Sequence, residues 1–296
     1  MNKKTMLTLA LAALMAASLT ACTGGQPSSS SAAPSASEPA SVSDSQSQAP
    51  EAEPTFVVIE EALSPEEYGI AFQKDNETVH NAVMSTLNGM IADGTAAQIS
   101  ETWFGEDKLL APVEVPEAKL PEGKTQLIIG LDDSFPPMGF RDENNEIVGF
   151  DIDLAREVAA RLGVELVCQP IDWATKELEL ENGNIDCIWN GLTITQERKD
   201  QLLMSAPYIA NSQRIITMSD SGIASLDDIA GKIVAVQTGS SAEEAIVKAP
   251  KYDEIKELVQ YPDYVTALQD LQTGRIDAIC IDEVVAFYYI DQYNKQ

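Results

Sequence analysis

Four groups in this sequence have the chemistry to hold a charged small molecule or a membrane. Arg198 lies three residues after Thr195, which opens a short polar helix. A guanidinium there can grip a carboxylate through two parallel hydrogen bonds, although Gln196-Glu197-Arg198-Lys199-Asp200 also reads as a solvated charged stretch. Ser240 and Ser241 open another helix, and helix N-termini attract anions; Ser241-Ala242-Glu243-Glu244 equally reads as a capping box. Asp282 follows the strand Ile279-Cys280-Ile281, where an isolated carboxylate can receive an ammonium, or is one more surface acid among the 47 present. Cys22 follows Leu19-Thr20-Ala21. Small residues before a cysteine resemble a bacterial lipobox, in which that cysteine is acylated (palmitate included) and becomes the mature N-terminus; the alternative is an ordinary secretory signal.

What the chain lacks narrows the chemistry further. It has one histidine, His80, so a multi-histidine metal site is ruled out. It has no GKS or GKT, leaving a nucleotide P-loop unsupported, and its four cysteines contain no CxxC pair. The formal charge of −28 argues against a nucleic-acid partner, because a phosphate-binding surface needs an excess of lysine and arginine. No cofactor is expected. Cys168, Cys187 and Cys280 lie in apolar strand contexts, where buried free thiols are the default.

The elements that must position these groups occupy the chain beyond residue 54. Residues 1–21 form a signal segment, with Lys3 and Lys4 before an apolar run, Met6 to Ala17, that is short for a bilayer span. Residues 22–54 hold the cysteine and a Ser/Pro/Ala-rich stretch; from Gln26 to Pro54 there are ten serines, five prolines and no aromatic residue. Such a composition buries too little apolar surface to offset the entropy of ordering, so it reads as a spacer holding a folded domain off a membrane. Beyond it, Phe56-Val57-Val58-Ile59 and Glu67 to Phe72 are strand candidates. Val79, Val83, Leu87 and Ile91 stripe a helix that stops at Gly94. Thr95-Ala96-Ala97-Gln98 reads as a capping box for a helix closing near Gly105, and residues 106–123 as a proline-rich connector. Leu127-Ile128-Ile129 is a buried strand, and Leu154, Val158 and Leu162 stripe a helix capped near Asp151. Strands then alternate with helices, the pattern of parallel sheets with crossover helices.

An internal echo points to two similar lobes. Gly183-Asn184-Ile185-Asp186-Cys187-Ile188 is matched by Gly274-Arg275-Ile276-Asp277-Ala278-Ile279, each a helix stop running into a strand. The polar loops Asp132-Asp133-Ser134 and Thr238-Gly239-Ser240-Ser241 end earlier strands. Ligands of open α/β sheets sit at such carboxyl ends, so two lobes face to face would form a cleft.

Several stretches together resemble family 3 of the extracellular solute-binding proteins, the polar amino-acid-binding proteins of ATP-driven importers. They are Gly130 to Phe140, Val148 to Ala155, Ile188-Trp189-Asn190-Gly191-Leu192-Thr193-Ile194-Thr195 with Arg198, Val236 to Ser241, and Asp277 to Glu283. The resemblance implies a two-lobed α/β fold of the type II periplasmic-binding-protein kind, each lobe an open sheet flanked by helices, with the ligand cleft between them. Family members usually end in a Glu-Tyr-Gly-Ile-Ala-Phe-like strand, two helices and Trp-Phe-Gly. Here those are Glu67 to Phe72 and Trp103-Phe104-Gly105, ahead of the usual first strand, while the chain stops at Gln296 where that tail would begin. Circular permutation is the simplest account, and a fragment of one gene fused to a truncated neighbour is the rival one. Permutation makes residues 73–208 lobe 1, and 209–296 plus 55–72 lobe 2, with hinges near Pro207-Tyr208 and Ala71-Phe72.

The resemblance also implies roles. Arg198 would take a ligand carboxylate, helped by Thr193, the Gly191 amide, Asn190, Ser240 and Ser241, and Asp282 would take the ammonium. Phe135 would cover the aliphatic part of the ligand, Trp189 would wall the pocket and Asp132 would meet a basic side chain. The expected protein is a non-enzymatic, monomeric receptor, anchored outside the cytoplasm by a lipid on Cys22, that delivers a polar amino acid to a permease. A dehydratase-like enzyme and a sensory module on the same fold are the alternatives.

Overall fold

The computed structural model describes residues 54–294. The signal segment, Cys22 and nearly all of the Ser/Pro/Ala stretch lie outside the described residues. No described helix is long and apolar enough to cross a membrane.

The β-branched and apolar runs pair into one long sheet. Its main path runs Glu257–Tyr261, Ile233–Gln237, Ala278–Asp282, Ile209–Met218, Ser64–Phe72, Cys187–Thr193, Gln126–Leu131 and Glu165–Pro170. Phe56–Val58 pairs with Ile209–Met218, and Leu203–Met204 with Ser64–Phe72. A small separate sheet joins Ser134–Phe135, Gly139–Arg141 and Ile147–Val148.

The two ends of the path repeat one plan. In lobe 1, Gln126–Leu131 lies parallel between Glu165–Pro170 and Cys187–Thr193. In lobe 2, Ile233–Gln237 lies parallel between Glu257–Tyr261 and Ala278–Asp282. The sequence echo is the same device twice. Gly183 and Gly274 turn in the left-handed region at φ 72° and 71°, which a glycine adopts without steric cost. Three residues on, Asp186 Oδ2 accepts the Ile128 N–H at 2.8 Å, and Asp277 Oδ2 accepts the Ile233 N–H at 2.7 Å. Each aspartate thereby ties its own strand to the central parallel strand of its lobe.

Two antiparallel strands link the lobes. Ser64 to Tyr68 pairs with Gln213 to Ile209, and from Tyr68 onward the same strand pairs with Thr193 to Cys187. Tyr68 is therefore the residue at which this strand's pairing changes from Ile209–Met218 to Cys187–Thr193, three residues before the expected hinge at Ala71-Phe72. Side chains two apart on a strand share a face, so Thr193, Tyr68, Glu66, Asn211, Gln213 and Asp282 line one side of the sheet across the junction.

The predicted helices form, with two different starts. Glu77–Ala92 buries Val79, Val83 and Leu87 and is capped by Asn76, whose side chain accepts the Val79 N–H. Phe150–Leu162 buries Leu154 and Val158. The Thr95 capping box does not form. Gly94 is the N-cap of Thr95–Phe104, and the Thr95 hydroxyl turns back to Asp93 Oδ1 at 2.6 Å. Asp151 is not a cap either: Gly149 holds that place, and Asp151 lies wholly buried in the first turn. The fold is α/β and two-lobed, as expected.

Candidate ligand-binding site

Where the lobes meet, the polar side chains form a connected network. Thr195 caps Gln196–Gln201 by accepting the Arg198 N–H, which turns the arginine side chain toward the junction. Arg198 is buried and donates to Thr193 O at 2.8 Å in its own lobe and to Gly239 O at 3.4 Å in the other. Burial pulls its pKa below the ordinary arginine value, opposed by nearby acids, Glu177 first. Thr193 Oγ1 meets Ser241 Oγ across the junction at 3.0 Å, and Ser241 Oγ also accepts from Gln213 Nε2 at 3.3 Å. Ser241 makes no side-chain cap bond to its helix, so of its two expected roles the capping box is corrected. Its hydroxyl faces the junction instead.

Asp282 stands at the end of its strand, as read from the sequence, and is buried. It accepts the Tyr68 hydroxyl at 2.6 Å and Asn211 Nδ2 at 2.8 Å, both on Oδ1. Burial, reinforced by the charge of Glu66, pushes its pKa to about 7. Asp132, also buried, bridges the lobes. Its Oδ1 holds the Ser134 N–H and hydroxyl, and its Oδ2 accepts Gln237 Nε2 at 2.6 Å. Burial raises its pKa against those hydrogen bonds. Phe135 tilts against Tyr264 of the opposite lobe at a centroid distance of 6.0 Å, and Ser240 donates to Gln237 O at 2.8 Å. Asn190 supports this loop by accepting the Asp132 N–H at 3.1 Å.

Two expected residues lie apart from this network. The Gly191 N–H is already committed to Asp151 Oδ2 at 2.8 Å, so it is not a free donor for an anion. Its glycine is nonetheless required. At φ 57°, an added Cβ would lie 2.7 Å from Phe135 Cε1 and 3.2 Å from Tyr68 Cε2. Trp189 is fully buried against Tyr208, which stacks on Phe150, so it belongs to the lobe 1 core rather than a pocket wall. Asp151 joins this group by accepting the Tyr208 hydroxyl at 2.8 Å, and burial pushes its pKa to about 7.

Glu66, Asn211, Gln213 and Lys176 escaped the sequence reading. Glu66 Oε2 accepts from Thr193 Oγ1 at 3.0 Å, Gln213 Nε2 at 3.0 Å and Asn211 Nδ2 at 3.2 Å. The available signal was polar alternation at period two, Ser64, Glu66, Tyr68 and Asn211, Gln213, on strands that cross. Lys176 is 2% exposed, and its Nζ reaches across to Gly239 O at 2.8 Å while pairing with Glu177 Oε1 at 3.1 Å. Burial, then the neighbouring Arg198 charge, lowers its pKa to about 8.

Comparison with known proteins agrees with this geometry. Residues 127–261 match the bacterial extracellular solute-binding proteins, family 3. The chain is 31% identical over 210 residues to the L-cystine-binding protein TcyJ of Escherichia coli K12, covering 70% of this chain and 75% of that one. Among solved structures, a Streptococcus pneumoniae substrate-binding protein of an ABC uptake transporter with bound histidine superposes with a TM-score of 0.55. It is 40% identical and covers 56% of this chain and 70% of its own. An ancestral arginine-binding protein bound to arginine gives a TM-score of 0.54 at 40% identity, covering 57% and 75%. This chain belongs to family 3 of the bacterial extracellular solute-binding proteins, an extracytoplasmic family.

Proposed function

We propose that this protein captures a polar amino acid between its lobes and presents it to the permease of an ATP-driven importer. The observation that carries the reading is the separation of opposite charges along one junction. Arg198, with Thr193 and Ser241 beside it, suits a carboxylate, and Asp282 with Tyr68 suits an ammonium. A free amino acid presents those two groups. Asp132, beside Phe135 on the same loop, then faces the ligand side chain and favours one that donates hydrogen bonds or carries positive charge. The relatives named for cystine, arginine and histidine support the class without choosing among its members. Hinge closure of two lobes is the change of shape a permease reads.

A thermal-shift screen over the twenty amino acids, ornithine, citrulline and cystine tests the reading, because a bound ligand raises stability by RT ln(1 + [L]/Kd). At least one polar amino acid should raise the melting temperature strongly. Arg198→Ala should then weaken its binding by roughly 30- to several-thousand-fold, the equivalent of roughly 2–5 kcal/mol. No shift with any compound refutes the reading. A ligand that comes out chemically changed would favour an enzyme instead.

Lipid anchoring at Cys22 and a circularly permuted order belong to the same proposal. Leu19-Thr20-Ala21-Cys22 and the Ser/Pro/Ala stretch support the anchor; Cys22→Ser should move the protein from membranes to the soluble fraction, and retention with unchanged mass refutes it. The permuted order is supported by Ser64–Phe72. The chain visits this strand early, yet it lies in the sheet between Cys187–Thr193 and Ile209–Met218.

A further inference from the structure

Asn211 Nδ2 donates to two carboxylates at once, Glu66 Oε2 at 3.2 Å and Asp282 Oδ1 at 2.8 Å. The two acids therefore lie within about 6 Å of each other, close enough for the charge of Glu66 to disfavour ionisation of Asp282. Among the described residues no lysine or arginine forms an ion pair with either of them. Asn211 is itself buried, 9% exposed, and its Oδ1 has no hydrogen-bond partner. A buried amide oxygen without a donor is costly. The floor of the junction thus gathers two unpaired carboxylates and one unpaired amide oxygen, all acceptors. An alkylammonium carries three N–H donors and no acceptor.

We propose that Glu66 and Asn211 join Asp282 in holding the α-ammonium of the ligand, so that three strands, two of them the strands linking the lobes, meet on one cation. This rests on the reading of the cleft as an amino-acid site. Cross-strand pairing places Asn211 opposite Glu66, and Gln213 opposite Asp282. The socket is therefore fixed by sheet register and needs no loop to form. It also ties ligand recognition to the hinge, because the Glu66 and Asn211 backbones belong to the strands that pass between the lobes.

The test is a cycle between Glu66 and the ammonium. L-Arginine, L-histidine, L-glutamine and L-cystine are titrated calorimetrically, and each is paired with its α-deaminated counterpart. Glu66→Gln keeps the side-chain shape and an acceptor oxygen but removes the charge. At pH 8 it should weaken the amino acid that the parent binds about tenfold and leave the deaminated counterpart unaffected. A second readout is the pH profile. Glu66, Tyr68, Tyr264, Cys280 and Arg198 are the titratable groups that act on or respond to Asp282. Removing the Glu66 charge should shift the acid limb of binding to lower pH, whereas a merely structural Glu66 would leave its midpoint in place. Equal loss for both members of a pair, or no loss for either, overturns the proposal while amino-acid capture stands. Failure of the parent protein to bind any amino acid of the thermal-shift panel overturns both.

Discussion

Replacing Asp282 with asparagine should act in opposite directions on stability and on binding. The carboxylate is buried and its pKa stands at about 7, raised by desolvation and then by Glu66. A carboxylate whose folded-state pKa exceeds its unfolded value binds its proton more tightly in the native protein. Stability therefore falls as pH rises through the window from about 4 to about 7, and the full penalty is present above it. At roughly 1.4 kcal/mol per pKa unit, that penalty is a few kcal/mol at most. Asparagine carries no such penalty. The hydrogen bonds from Tyr68 and Asn211 both fall on Oδ1, so an amide oxygen in the same place keeps them, while the contact with the Gln213 amide is given up. The expected gain for Asp282→Asn is about 1–3 kcal/mol at pH 8 and close to zero near pH 4. For a protein of this size that is a rise in Tm of roughly 2–12 °C at pH 8. Amino-acid affinity should fall in the same variant, because the ammonium loses its ionic partner. Thermal unfolding at the two pH values, with and without ligand, reads both effects. A Tm at pH 8 below that of the parent would refute the claim that this carboxylate is held at a cost to stability.

The other structural claims are exposed to simpler perturbations. Gly191→Ala should lose about 1–3 kcal/mol, because its φ of 57° and the Phe135 ring both resist a Cβ; chemical denaturation measures the loss, and a stability equal to the parent's would show that the loop adapts freely. Lys176→Met keeps the aliphatic stem but removes the bonds to Gly239 O, so affinity should fall about 2- to 30-fold with unfolding little changed, and unaltered affinity would remove Lys176 from closure. Deleting residues 54–105 should prevent the remainder from folding, since Ser64–Phe72 pairs with both lobes; a stable, ligand-binding fragment of 120–296 would refute the permuted order.

The parts of this protein legible in its sequence are those whose reason is local. The stripe of Val79, Val83 and Leu87, the Thr195 cap and the helix stops at Gly183 and Gly274 each depend on neighbours within a few residues. Arg198, Thr193, Ser241 and Asp282 were legible because whole stretches around them resemble the family, and the structure brings all four to one junction. Asp151 and Thr95 were misread for a shared reason. Asp and Thr near a helix start usually cap it, but Tyr208 and the Gly191 N–H already occupy Asp151, and Asp93 occupies Thr95. Glu66 and Lys176 were missed because an acid among 47 and a lysine in Trp173-Ala174-Thr175-Lys176 both read as solvated. The register of crossing strands gives Glu66 its partners, and the approach of Gly239 gives Lys176 its partner in the other lobe.

The junction chemistry also explains why a ligand should decide between open and closed lobes. Across the junction run the bonds of Thr193 to Ser241, Asp132 to Gln237, and Arg198 and Lys176 to Gly239. Each is worth about 0.5–1.5 kcal/mol net, or up to about 3 where one partner is charged. Against them stands the desolvation of Arg198, Asp132 and Asp282, all buried on closure and all shifted toward their neutral forms. Terms of similar size and opposite sign leave the closed state finely balanced. A ligand shifts such an equilibrium only through its differential affinity for the two states. On the reading proposed above, an amino acid would supply that difference, because its carboxylate and ammonium would pair with Arg198 and Asp282 together only when the lobes are closed. A molecule carrying only the carboxylate would leave Asp282 buried without a cationic partner, and one carrying only the ammonium would leave Arg198 with Glu177 alone, 3.6 Å away, so the same reading predicts that a zwitterion binds better than either.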